Sequence, residues 1–157
     1  MVDPERPVRW VAVLAAGKGV RMGDGPPKVL RLLKGRPILA RVLETARALD
    51  PKTIFVVVGD RKEEIRAAFP DPDLVYVDQG EPRGTGHAVA ALAPHVGDGT
   101  GLLIVLYGDV PSIRAETVEA LAARVEKDRA AMGLLTFVAP DPAGYGRIVR
   151  DAGGRFL

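Results

Sequence analysis

Three short runs of apolar and β-branched residues constrain this chain more than anything else in it: RWVAVL at residues 9–14, TIFVVV at 53–58 and GLLIVL at 101–106. Each has the length of a strand, and none alternates apolar with polar. That is the pattern of strands covered on both faces. Between them lie segments with helical periodicity. Pro37 opens one that carries Ile38, Leu39, Val42, Leu43, Ala46 and Leu49 on one face, and Asp50-Pro51 stops it. Residues 61–69 read as a short helix ended by Pro70, residues 74–77 as a strand, and residues 85–93 as a short alanine-rich helix. Residues 113–127 read as a helix with Val118, Leu121, Ala122 and Val125 on one face; residues 132–138 read as a fifth strand and residues 146–150 as the start of another. Strands alternating with helices predict an α/β fold, a mostly parallel sheet with helices on both faces. At 157 residues the chain is sized for one domain.

Several function classes drop out. With no cysteine, disulfide frameworks, zinc–cysteine sites and thiol catalysis are excluded. No run of 18 apolar residues is present, so a membrane-spanning helix is not expected. The first ten residues hold Asp3, Glu5, Arg6, Arg9 and two prolines, unlike a secretory signal, so the cytoplasm is the expected compartment. Lys and Arg number 22 against 20 Asp and Glu, the basic residues are scattered, and aromatics make up 5%. Neither a duplex-binding face nor a stacking platform for nucleic acid is indicated.

In a parallel α/β sheet, ligands bind outside the carboxyl ends of the strands. Three loops qualify: residues 15–28, 79–85 and 107–112. The first begins LAAGKGVRM. It is not the dinucleotide fingerprint, because the third glycine falls at Gly23, one position late, and it lacks the G-K-[ST] of a Walker A loop. What remains is a small-residue turn whose backbone N–H groups can approach phosphates, with Lys18, Arg21 and Lys28 nearby. An ordinary turn with solvated cations fits the same residues. Asp109, at the carboxyl end of an apolar strand, is the best candidate ligand for a hard cation; it also reads as a turn aspartate before Val110-Pro111.

Residues 14–30 (LAAGKGVRMGDGPPKVL) resemble the signature of the sugar-phosphate nucleotidyltransferases, L-A-A-G-x-G-T-R-M followed by P-K. QGEPRGTGHA at 79–88, YGDVPSI at 107–113 and GYGRI at 144–148 narrow the match. They resemble the uridyltransferase half of the bifunctional N-acetylglucosamine-1-phosphate uridyltransferase/glucosamine-1-phosphate acetyltransferases. The resemblance covers residues 9–157 in the same order and with similar spacing.

It implies a Rossmann-like three-layer sandwich of the nucleotide-diphospho-sugar transferase type. The implied reaction is attack by N-acetylglucosamine-1-phosphate on the α-phosphorus of UTP, giving UDP-N-acetylglucosamine for peptidoglycan synthesis and releasing pyrophosphate. The attacking phosphate is already an anion, so positioning and charge neutralisation suffice and no nucleophilic side chain or base is required. The resemblance makes Asp109 the Mg²⁺ ligand, sets Lys28 on the nucleotide phosphates and Arg21 on the pyrophosphate side, and has Gln79 and Gly84 read the uracil edge. Thr85 would hydrogen-bond the nucleotide and could also cap the following helix. Leu14, Ala15, Ala16 and Gly17 would line the uridine pocket, Gly19 would join the nucleotide-binding set, and Tyr107, Gly108 and Gly146 would contact the bound nucleotide sugar. His87 reads as structural and His95 carries no signal.

The match has gaps. Val20 replaces the usual threonine, and the chain has no Asn to supply the family's sugar-binding and second metal-binding asparagines. The hexapeptide β-helix of the acetyltransferase half is also missing. Residues 144–157 read as a strand, a turn at 151–154 and the start of a return strand, so the expectation is the nucleotide-binding part of a longer enzyme, truncated at its C-terminus. Such a piece is expected to be monomeric and its parent a homotrimer. A nucleotidyltransferase for another sugar phosphate and a non-catalytic nucleotide-binding module remain open alternatives; a dehydrogenase is disfavoured by the glycine spacing.

Overall fold

A computed structural model describes residues 7–17, 25–97 and 100–155. The three apolar runs are strands: β1 (Arg9–Leu14), β4 (Thr53–Val58) and β6 (Leu102–Tyr107). With β5 (Leu74–Asp78) they form a four-stranded sheet in the order β5-β4-β1-β6, and every pairing is parallel. The helices are α1 (Ile38–Ala48), α2 (Lys62–Ala68), α3 (Thr85–Ala90) and α4 (Ala115–Asp128).

Successive strand residues point to opposite faces, so a continuously apolar strand feeds two cores. Val11, Val13, Ile54, Val56, Val58 and Ile104 pack with Leu39, Val42, Leu43 and Ala46 of α1, Ile65 of α2 and Val118 of α4. Trp10, Ala12, Phe55, Val57 and Val77 pack on the other side with Ala88 of α3 and with Leu92. The three-layer α/β arrangement is therefore present as expected. Arg9 ties the start of β1 to α4: its guanidinium, 6% exposed, donates to Glu119 at 2.6 Å and to Glu126 at 2.8 Å. Burial works against that charge, but the two carboxylates outweigh it and raise the Arg9 pKa above its ordinary value.

Two features differ from expectation. First, a small antiparallel hairpin, β2 (Leu32–Leu33) with β3 (Arg36–Pro37), precedes α1. Its central residues, Lys34 and Gly35, both have positive φ (50° and 77°), the arrangement of a type I′ turn. Second, residues 132–138 form no strand. Met132, Leu134, Leu135, Phe137 and Val138 are exposed, from 51% to 97%. Apolarity makes a segment favour burial, but a strand also needs a ladder partner. Among the described residues β6 pairs only with β1, and nothing pairs along 132–138. Residues 146–150 likewise hold only an isolated bridge at Arg150, whereas the expected turn at 151–154 is present, closed by Gly154 N–H donating to the Asp151 carbonyl at 3.0 Å. No helix among the described residues is long and apolar enough to cross a membrane.

Candidate active site

The chain runs β1, β4, β5 toward one side of the sheet and then returns to place β6 on the other side of β1. The carboxyl ends of β1 and β6 therefore flank the topological switch point, where open α/β sheets hold their ligands. Leu14 and Tyr107 face each other in register there.

Beyond that pair the two strands' ends stay close. Gly108 donates its N–H to the Leu14 carbonyl at 2.9 Å. A Cβ on Gly108 would lie 2.9 Å from that same oxygen and 3.4 Å from side-chain carbons of Leu39 and Val29. Only glycine lets β6 turn away this close to β1. The turn delivers Asp109 into the crevice. From the other side, Pro27 leads into a single 3₁₀ turn, Lys28–Leu30, anchored by Val29 in the core. Lys28 emerges from this turn, and its Nζ donates to Asp109 Oδ2 at 2.7 Å. The pair spans 81 residues of sequence, and both side chains are about 40% exposed (41% and 38%), open to an incoming ligand.

A cavity of about 260 Å³ adjoins the crevice, lined by Ala15, Ala16, Gly17, Pro27, Gly59, Asp60, Arg61 and Ile65. Ala15 is held in place by donating its N–H to the Val57 carbonyl at 2.8 Å. Gln79 leaves the end of β5 with its N–H on the Val58 carbonyl at 3.0 Å, and with Arg9 it is one of two buried polar side chains among the described residues, 8% exposed. Its amide lies beside Gly59, where a Cβ would be in ordinary van der Waals contact with Gln79 Nε2 at 3.5 Å. Beside it, Lys62 Nζ donates to Asp78 at 2.7 Å and Gly80 N–H to the same carboxylate at 2.9 Å. Those two contacts hold the Asp78 carboxyl below its ordinary range.

The remaining expectations fall unevenly. Gly84, at φ 102°, is the N-cap of α3, and Thr85 is the first residue inside the helix, so Thr85 is not the cap. A backbone bent to positive φ at that position suits glycine, which leaves no cap side chain. Tyr107 is 51% exposed beside the crevice. A Cβ at Gly146 would meet open space in the exposed segment after α4, and among the described residues no hydrogen bond ties Gly146 to the crevice. Gly19 and Arg21, with Lys18, lie outside the described residues. His87 lies in α3 with its Nδ1 buried and unpartnered among the described groups. Residues 59–61 were not singled out by sequence, although the β4–α2 turn is also a carboxyl-end loop; no motif marks it.

The MobA-like NTP transferase domain matches residues 11–152. The chain belongs to this family. Among curated relatives, this NTP transferase domain is 48% identical over 145 residues to the bifunctional protein GlmU of Chromohalobacter salexigens, covering 92% of the chain and 31% of that protein. It is 49% identical over 147 residues to the bifunctional protein GlmU of Cupriavidus taiwanensis, covering 94% of the chain and 32% of the relative. The chain thus spans about a third of the length of the curated relatives it matches. The domain also superposes on Rv0371c from Mycobacterium tuberculosis (TM-score 0.62, 24% identity, 78% of this chain and 62% of that one). A UDP-glucose pyrophosphorylase complexed with UDP-glucose superposes similarly (TM-score 0.63, 17% identity, 78% and 55%). At those identities the likeness establishes the fold.

Proposed function

We infer that this chain is the nucleotide-binding part of a uridyltransferase that joins UTP and N-acetylglucosamine-1-phosphate, giving UDP-N-acetylglucosamine and pyrophosphate. The Lys28–Asp109 pair at the switch point carries this reading: one phosphate-seeking cation and one cation-seeking carboxylate meet where a ligand is expected. The identity to GlmU proteins over nearly the whole chain supports uridine and the acetamido sugar as the substrates.

The residues present fit a divalent cation that arrives with its nucleotide. No group of three His, Cys, Asp or Glu side chains among the described residues could cage a metal. Mg²⁺ is commonly held by one or two carboxylates together with substrate phosphates, and Asp109 supplies one such carboxylate. A neighbour of this fold, Rv0371c, has been crystallised with manganese, in keeping with a divalent site. Mg²⁺ bound there would neutralise charge on the reacting phosphates.

The chain's own groups do the rest. Lys28 exchanges Asp109 for nucleotide phosphate oxygen, which frees the carboxylate. The small residues Ala15, Ala16 and Gly17 let backbone approach the nucleoside, and Gln79 offers both a donor and an acceptor to the uracil edge. Arg21, seven residues before Lys28 in the sequence, is assigned the pyrophosphate side. Sugar contacts come from the remainder of the parent enzyme. The chain alone is a cytoplasmic monomer, and its parent a homotrimer.

Calorimetric titration with UTP, CTP, ATP and GTP, with and without Mg²⁺, tests the reading. Mg²⁺-dependent selection of UTP supports it. Equal binding of all four nucleotides contradicts the uridine assignment, and metal-independent binding favours a non-catalytic nucleotide module.

A further inference from the structure

The turn between β4 and α2 takes no part in the proposed chemistry of Lys28 and Asp109, yet it forms one wall of the cavity facing Ala15, Ala16 and Gly17. Its Arg61 uses all three guanidinium nitrogens. Nε and Nη2 grip the two Glu64 oxygens at 2.5 and 2.6 Å, and Nη1 donates to the Gly25 carbonyl at 2.6 Å. Glu64, in the first turn of α2, answers the charge, which leaves Nη1 to hold a backbone oxygen 36 residues away.

The consequence of that contact lies in the next three residues. Only Pro26 and Pro27 separate Gly25 from Lys28. Each proline ring fixes its own φ and restricts the residue before it to extended backbone. Pro27 sits at φ −45°, ψ 140°, and a tight turn comes at once, with Leu30 N–H donating to the Pro27 carbonyl at 2.8 Å. Few soft torsions remain between Gly25 and Lys28, so pinning the Gly25 carbonyl sets where the lysine emerges.

We propose that Arg61 is a positioning residue for Lys28: it clamps the corner formed by residues 25–28 against the β4–α2 turn and so aims the Lys28 ammonium at the phosphate position. Arg61 touches no reacting atom in this role. The assignment rests on reading the crevice as a nucleotide site. Because Arg61 and Glu64 are both half-exposed (45% and 47%), their pairing adds little to overall stability. The effect belongs to the site. Lysine cannot replace it, since a single ammonium lacks the planar fork that serves Glu64 and Gly25 together.

The test titrates Mg²⁺–UTP into the wild-type chain, Arg61→Met, Arg61→Lys, Lys28→Met and the Arg61→Met/Lys28→Met double variant, with Tm recorded for each. Both Arg61 variants are expected to weaken binding about 5- to 10-fold, the size of one hydrogen bond, with Tm nearly unchanged. On the Lys28→Met background, Arg61→Met should cost nothing further, because coupled residues are not additive. Arg61→Lys keeps a cation beside Glu64, so it separates loss of the clamp from loss of the turn. Wild-type affinity in the Arg61 variants, or a full additive loss in the double variant, overturns the role assigned to Arg61. A wild-type chain that binds no nucleotide, or one unaffected by Lys28→Met, overturns the nucleotide-site reading beneath it.

Discussion

Lys28 Nζ rests 2.7 Å from Asp109 Oδ2, so in the free chain an ammonium stands beside the carboxylate that the proposed reaction reserves for a metal. With no group of three acidic or histidine side chains among the described residues to cage a metal, the bare crevice satisfies itself with its own cation. Metal and nucleotide would then enter together, each releasing one partner of the pair.

Removing the lysine should therefore expose the carboxylate. Lys28→Met is expected to tighten Mn²⁺ binding without nucleotide by about 2- to 5-fold, the scale of an exposed ion pair, while weakening UTP. Electron paramagnetic resonance of free Mn²⁺ measures the first effect. Unchanged Mn²⁺ affinity would mean the lysine does not compete for Asp109.

Gly108 is the tightest point of the switch. Gly108→Ala places a methyl 2.9 Å from the Leu14 carbonyl and against Leu39 and Val29. The expected loss is about 1–3 kcal/mol, the usual effect of overpacking, together with weaker nucleotide binding because Asp109 shifts. Urea unfolding measures the first; a variant as stable as wild type would refute the close approach.

Arg9 tests the sheet-to-α4 tie away from the site. Arg9→Met removes the guanidinium that Glu119 and Glu126, 36% and 28% exposed, share. Breaking a fully buried pair costs several kcal/mol, and partial exposure of the carboxylates reduces this to about 2 kcal/mol. Thermal unfolding should register that loss while nucleotide affinity stays within about twofold.

Acid should weaken the carboxyl end of β5, beside Gln79. Hydrogen bonds from Lys62 and from Gly80 N–H lower the Asp78 pKa below its ordinary value. The stabilisation is therefore present above the unfolded pKa, about 4, and is lost as pH falls through the lower folded value. Wild type should lose Tm more steeply than Asp78→Asn below about pH 4. Parallel curves would place the acid sensitivity elsewhere, for example at Asp73 beside Arg47.

The sheet is legible in the sequence because RWVAVL, TIFVVV and GLLIVL are too apolar and too β-branched to be anything but covered strands, and their ends match to within a residue or two. The β2–β3 hairpin is not, since Lys34-Gly35 lacks the Asn or Asp that usually announces a type I′ turn. Residues 132–138 mislead for a physical reason: a local pattern reports a tendency to be buried, whereas a ladder needs a partner strand that the pattern does not encode. Within the site, the meeting of Lys28 and Asp109 depends on strand order, which places the ends of β1 and β6 side by side. Arg61 carries no signal in the sequence because it acts on a backbone carbonyl, and no side-chain motif marks such a contact.

The role proposed for Asp109 is to make nucleotide binding depend on a divalent cation. Calorimetric titration of UTP into the wild-type chain and Asp109→Asn, each with and without Mg²⁺, measures that dependence most directly. Mg²⁺ is expected to strengthen UTP binding to wild type by at least about tenfold, and this gain should vanish in Asp109→Asn. An equal Mg²⁺ effect in both proteins would contradict the role of Asp109.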